Sequence, residues 1–326
     1  MKLLHRRQFL RLTGGAAALP TTSWTAMAQA YPARPVRIIV GFAAGASPDI
    51  IARILAQWLS DKLGQQFIVD NRPGAGGNSA AEAVARAPSD GYTLLWASSG
   101  NTTGATLYDR IKFDFIRDIA PIAAIIRFPN VIVVNPSFPP KTVSELITYA
   151  KANRDKISMA SAGSGTSTHL SAELFKMMTG TDMVHVPYRG GVGVYTDLMG
   201  GQVQVYFPPT ASSLAYIKSG QLRALAVTTS ARWEGLPEIP AVSEIIPDYE
   251  ASTWHGLGAP KNTPGEIVER LSREINAALV DFNVRMRLAT LGGTPLSGSP
   301  TDFGRLIAEE TDKWAKVIKF AGIKAE

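Results

Sequence analysis

From Val36 onward, short apolar runs alternate with apolar positions at helical spacing. Val36–Val40 is a β-branched run that predicts a strand. After a Gly/Ala loop, Ile50, Ile51, Ile54, Leu55, Trp58, Leu59 and Leu63 recur at the helical period. Ser47 with Pro48 predicts an N-cap and a first-turn proline, and Gly64 the end of that helix. The unit repeats as a strand at Phe67–Val69, a glycine-rich loop at Pro73–Gly77, a helix at Ser79–Arg86 and a strand at Thr93–Ala97. This is βαβ order, which predicts parallel sheets covered on both faces.

Strands at Ile122–Ile126 and Val131–Val134 follow closely, separated by Phe128 and Pro129, and mark a crossing into a second lobe. There the pattern predicts helices at Val143–Lys151, Leu170–Met178 and Val194–Met199, and strands at Ile157–Ala160, Met183–Val186, Val203–Phe207 and Leu222–Val227. The proline-rich stretch Pro237–Pro247 marks the return. A strand at Trp254–Gly258 and helices at Pro264–Val280, Val284–Leu291 and Pro300–Ala321 are expected to pack back on the first lobe. The expected architecture is therefore α/β, with two parallel-sheet lobes and a ligand cleft at the carboxyl ends of their strands. Lobe 1 would comprise residues 31–130 and 252–326, and lobe 2 residues 131–251.

Residues 1–30 change how charge is read. They hold Lys2, Arg6, Arg7 and Arg11 and no acid, so the chain's formal +6 falls to 29 basic against 27 acidic residues without them. A nearly neutral chain offers no electrostatic footprint for nucleic acid. The adjacent arginines, the weakly apolar run Leu12–Leu19 and the small residues Ala26, Ala28 and Ala30 predict a twin-arginine export signal cleaved after Ala30. The alternative, an N-terminal anchor, needs about 20 apolar residues; the run is shorter. A periplasmic protein with no membrane-inserted segment is expected.

Four strand-to-helix loops are dominated by small residues: Gly41–Asp49, Ala97–Thr103, Ala160–His169 and Pro187–Gly193. Small side chains leave the backbone amides of helix N-termini open to an anion. Arg189 is the one cation within these loops, and Asn71–Gly77, equally glycine-rich, is read as a turn of the chain. Cysteine is absent, and His169, His185 and His255 lie far apart in sequence, so neither a metal site nor a cofactor is expected. No complete dinucleotide fingerprint, phosphate-binding lysine loop or nucleophile elbow occurs. An enzyme reading survives only as a hydrolase using Ser164 or Ser167 with His169, set against a hydrogen-bonded helix-start histidine. Asp49 is read as capping its helix or ordering its loop.

Several segments resemble the Bug family, TctC-like periplasmic solute-binding proteins of tripartite tricarboxylate transporters. They include YPARPVRIIV (31–40), VDNRPGAGGN (69–78), PSDGYTLL (88–95), HLSAELF (169–175), HVPYRGG (185–191), LRALAVTTSARW (222–233) and GLGAPKNTP (256–264). The resemblance implies a type II periplasmic binding fold that closes like a clamshell on a small organic carboxylate and delivers it to a membrane permease. A monomer is expected, and a ligand-presenting sensor is the alternative role for the same fold. First-lobe contacts implied are Phe42, Ala43, Ala44, Ala46, Ser47, Asp49, Ser98 and Ser99. Second-lobe contacts implied are Gly163, Ser164, Thr166, Ser167, Tyr188, Arg189 and Phe207. Two departures bear on the ligand. Phe42–Ala46 keeps one glycine of the family's F-P-P-G-G, and Pro208–Pro209 stand where an acidic residue is common. Loss of that acid removes a partner for an amino group, which points to a linear dicarboxylate or an aromatic acid.

Overall fold

The computed structural model describes residues 31–108, 111–188 and 190–324. The export signal predicted over residues 1–30, with its cleavage point, lies outside the described residues. The first lobe begins β1 (Val36–Val40), α1 (Ser47–Leu63), β2 (Phe67–Asn71), α2 (Asn78–Ala85), β3 (Thr93–Ser98), α3 (Ser99–Leu107), α4 (Phe115–Asp118) and β4 (Ile119–Pro129). The chain then enters the second lobe as β5 (Val131–Val134), α5 (Val143–Ala152), β6 (Ser158–Ser161), α6 (Ser167–Thr179), β7 (Val184–Pro187), α7 (Gly191–Met199), β8 (Val205–Tyr206), α8 (Thr210–Lys218) and β9 (Arg223–Val227). It returns through β10 (Ser252–Pro260), α9 (Gly265–Val280), α10 (Phe282–Thr290), β11 (Thr294–Pro295) and α11 (Pro300–Ala321).

The six-stranded sheet has the order β11-β4-β10-β3-β1-β2 and the five-stranded sheet β7-β6-β8-β5-β9. Both are mixed, which corrects the expectation of parallel sheets. β1 runs parallel to β2 and β3, and β6 parallel to β7 and β8. β10 is antiparallel to β3 and β4, and β5 antiparallel to β8 and β9. The reason is topological. The parallel strands end at the cleft, so a strand that arrives from the other lobe starts at that edge and must run the opposite way.

Each sheet is covered on both faces, as its uninterrupted apolar strands require. In lobe 1, Ile38, Leu94 and Ile122 pack on one face with Ile51, Leu55 and Leu271. On the other face Ile39, Leu95 and Trp254 pack with Val84 and Phe303. The last helix departs from expectation. Phe303 and Ile307 of α11 belong to the lobe 1 core, whereas Trp314, Val317 and Ile318 are buried with Phe175, Phe207 and Tyr249 of lobe 2. α11 is long enough, at 22 residues or about 33 Å, to span both.

At the two strand crossings the backbone is tied by one buried hydroxyl. Thr228 Oγ1 accepts the Asn130 N–H at 2.9 Å and donates to the Ala251 carbonyl at 2.7 Å. The Thr228 and Ala251 amides donate to Asn130 and Thr228 carbonyls at 2.9 Å each, drawing both crossings together.

Candidate ligand-binding site

A cavity of about 550 Å³ opens between the lobes. Lobe 1 lines it with Phe42, Pro48, Gly76, Ser98, Ser99, Gly100, Thr103, Leu107 and Tyr108, and lobe 2 with Gly163–Ser167 and Pro209. Thr253 and His255, alternating on β10, complete the wall. Four helices start here: α1 with Pro48 in its first turn, α3 after Ser98, α6 after Thr166 and α8 after Pro209. Among the described lining residues none carries a full charge at neutral pH. What the cavity offers is hydroxyls, backbone amides and the positive ends of four helices, which is anion-binding chemistry without a counter-ion.

Local sequence explains how the loops hold their shape. The Ser98 amide donates to Asn101 Oδ1 at 2.9 Å, starting α3 in a stretch, SGNTTGATL, that composition alone marks as loop. Asn101 in turn donates to Asn78 Oδ1 at 3.2 Å, tying α3 to α2. Asp49 is buried and serves the 41–49 loop: it accepts the Gly45 amide at 2.8 Å, Asn71 Nδ2 at 3.0 Å and Arg53. Burial alone would raise its pKa, but these partners outweigh burial and hold the carboxyl below its ordinary value. Ser47 is not the N-cap of α1; Ala46 is, and Asp49 satisfies the loop amide from within the first turn.

Of the residues singled out in the sequence, Phe42, Ser98, Ser99, Gly163, Ser164, Thr166 and Ser167 line the cavity. Ala43, Ala44, Ala46, Ser47 and Asp49 do not. Ala43, Ala44 and Ser47 are exposed and Ala46 is half-buried, and the carboxylate of Asp49 is turned to Gly45 and Asn71. Tyr188 donates a 2.6 Å hydrogen bond to Asp197 and is not in the cavity wall; burial, and then that bond to Asp197, raises its pKa to about 12. Phe207 is fully buried in the lobe 2 core. Arg189 lies outside the described residues. Gly76 enters the wall because the 71–77 loop, read as a turn, lies against α3; a Cβ on Gly100 would meet the Gly76 carbonyl at 2.8 Å. Thr103 was within reach of sequence reasoning, one helical turn beyond Ser99. Thr253 and His255 share one strand face but lie beyond the return crossing, far from any loop motif.

His255 stacks on Trp96 at 5.9 Å between ring centroids and meets the edges of Phe42 and Phe128, both at 6.0 Å. Burial pushes its pKa down to about 4, against a smaller opposing effect from the Ala97 carbonyl. His185 is also lowered to about 4, by burial and then by the neighbouring His169. Between about pH 6.5 and 4 the unfolded chain therefore binds more protons at these sites than the folded one. Their contribution to stability is complete above 6.5 and lost as pH falls towards 4. Melting temperatures across pH 7 to 4 should fall over that window, less steeply in a His185→Gln variant.

His169 does not pair with a serine. Its ring is buried, Nδ1 accepts the Gly165 amide at 3.1 Å, and Nε2 faces Glu173 Oε1 at 3.5 Å. Neither Ser164 nor Ser167 reaches it as a hydrogen-bonded nucleophile would.

Residues 51–323 match the tripartite tricarboxylate transporter family receptor. The chain belongs to that family. It is a solute receptor of a non-enzymatic binding-protein family, so the hydrolase reading falls. Its two-lobed α/β architecture is that of periplasmic binding proteins, and among the described residues no helix is long and apolar enough to cross a membrane. Three solved structures are similar. Rpa4515 of R. palustris with adipate is 37% identical, TM-score 0.74, over 90% of this chain and all of that one. MatC of Rhodopseudomonas palustris with bound malate is 29% identical, TM-score 0.70, over 88% of this chain and all of that one. A ligand-free TctC solute-binding protein from Polaromonas is 28% identical, TM-score 0.82, over 89% of this chain and 99% of that one.

Proposed function

We propose that this receptor captures a linear dicarboxylate in the periplasm and passes it to the membrane permease of a tripartite tricarboxylate-type transporter. The observation that carries the reading is the convergence of four helix N-termini on a cavity whose described lining bears no charge. Hydrogen bonds to a charged group contribute about 1.5–3 kcal/mol each, so five or six support the roughly 8 kcal/mol of micromolar binding. The cavity accommodates two carboxylates and a short chain, and no carboxylate stands in its described wall to receive an amino group. Adipate and malate, bound by two relatives, are both dicarboxylates.

Capture proceeds by closure of 131–251 against 31–130 and the return segment, about the crossings at Asn130 and Ala251, with α11 as a third connection. The receptor acts as a monomer after removal of residues 1–30.

The test is a thermal-shift screen against C4–C8 dicarboxylates, citrate, benzoate, amino acids and glucose, followed by calorimetry. A concentration-dependent rise with dicarboxylates is expected. A shift only with an amino acid or glucose would overturn the reading.

A further inference from the structure

A second cavity, about 650 Å³, lies on the outer side of the 163–167 loop and shares Ser164 with the ligand cavity. His169 and His185 form its inner wall, stacked with ring centroids 3.6 Å apart and planes within 10°. Nδ1 of His169 accepts the Gly165 amide. An imidazole that accepts at one nitrogen carries its single proton on the other, so this ring is neutral with its N–H directed to Glu173. Nε2 of His185 lies 2.7 Å from Ser161 Oγ, and that oxygen accepts the Gly163 amide at 3.2 Å. Gly163 and Gly165 are the two left-handed residues of the loop, at φ +136° and +73°. Both unusual turns are thus held from behind, one by Ser161 and one by His169, while the other side faces the ligand cavity.

We infer that His169 is a positioning residue for the binding loop: its Nδ1 is the acceptor on which the Gly165 amide rests, and the stack on His185 together with Glu173, itself matched by Lys176 at 3.0 Å, fixes the ring in that orientation. The effect on affinity rests on the cleft reading above; the effect on the loop does not.

Two variants separate positioning from simple packing. His169→Asn keeps an acceptor where Nδ1 stands. His169→Phe keeps a ring stacked on His185 but has no acceptor. The Gly165 amide protection factor, read by NMR with ¹⁵N-glycine, and adipate affinity, read by calorimetry, are measured at pH 7.5, where adipate is a dianion. His169→Phe should show an unprotected Gly165 and adipate affinity roughly five- to tenfold weaker, the scale of one hydrogen bond. His169→Asn should restore both to the values of the unsubstituted protein. Unchanged protection in His169→Phe, or lost protection in His169→Asn, would overturn the inference. If His169→Phe does not fold, His169→Asn decides alone. Expected behaviour of Gly165 with no adipate binding would leave the positioning role standing and defeat the ligand class.

Discussion

Replacing Ser99 by aspartate should abolish carboxylate binding while leaving the melting temperature unchanged or slightly higher. Ser99 is the first residue of α3 and lines the ligand cavity. An acidic side chain in the first turn of a helix is favoured by the unpaired amides there and by the helix dipole, by about 0.3–1 kcal/mol. The same aspartate occupies the field that would otherwise attract the ligand. Two like charges about 4 Å apart near a protein surface repel by about 4 kcal/mol, which corresponds to roughly a thousandfold loss of affinity. Calorimetry with adipate and a melting curve on the same sample check both halves. Retained binding in a folded Ser99→Asp protein would mean that the anion sits elsewhere than at this helix start.

Gly41→Ala is the substitution expected to damage the fold most for its size. An ideal Cβ at Gly41 would lie 2.4 Å from Gly77 Cα and 3.0 Å from its carbonyl oxygen. These are backbone atoms with no rotamer to yield, so the loop after β1 and the start of α2 must separate. Overpacking of this kind costs about 3 kcal/mol, or about 6 °C in melting temperature for a protein of this size. Phe42 and Gly76 flank the contact and line the cavity, so binding should weaken with stability. Gly265→Ala is the control: a Cβ there meets nothing within 4 Å, and its effect should stay within about 0.5 kcal/mol.

These two positions differ in how far they could be read from the chain. The Ser98–Ser99 loop was legible because β3 is a clear apolar run and small polar residues follow it. That α3 begins there was not, because Gly, Asn and Thr are weak helix formers and the local Ser98–Asn101 hydrogen bond that starts the helix uses Asn where Glu or Gln is the recognised capping signal. α8 was missed for a related reason, its TASSLAYIK sequence having no strong apolar stripe. Gly41 reads as one glycine among many until the 71–77 loop is seen lying against it. His169 and His185 appear unrelated in sequence; the parallel pairing of β6 with β7 brings His185 opposite Met159 and beneath α6, where the two rings stack.

The sequence by itself determined the alternation of strands and helices apart from α3, α4, α8 and β11, the two-lobed α/β fold and the family. All of these follow from local signals: apolar period, small residues at strand ends, and segments long enough to be recognised as a family's. Only the tertiary structure decided strand direction at the crossings, the sharing of α11 between both cores, and which side chains line the cavity between the lobes. A loop's composition states that amides are available, but the direction of each side chain depends on partners brought from elsewhere. Asp49 turns to Gly45 and Asn71, Tyr188 donates to Asp197, and Phe207 disappears into packing with Phe175. Thr253 and His255 reach the same cavity because β10, the strand that returns across the cleft, passes between β3 and β4.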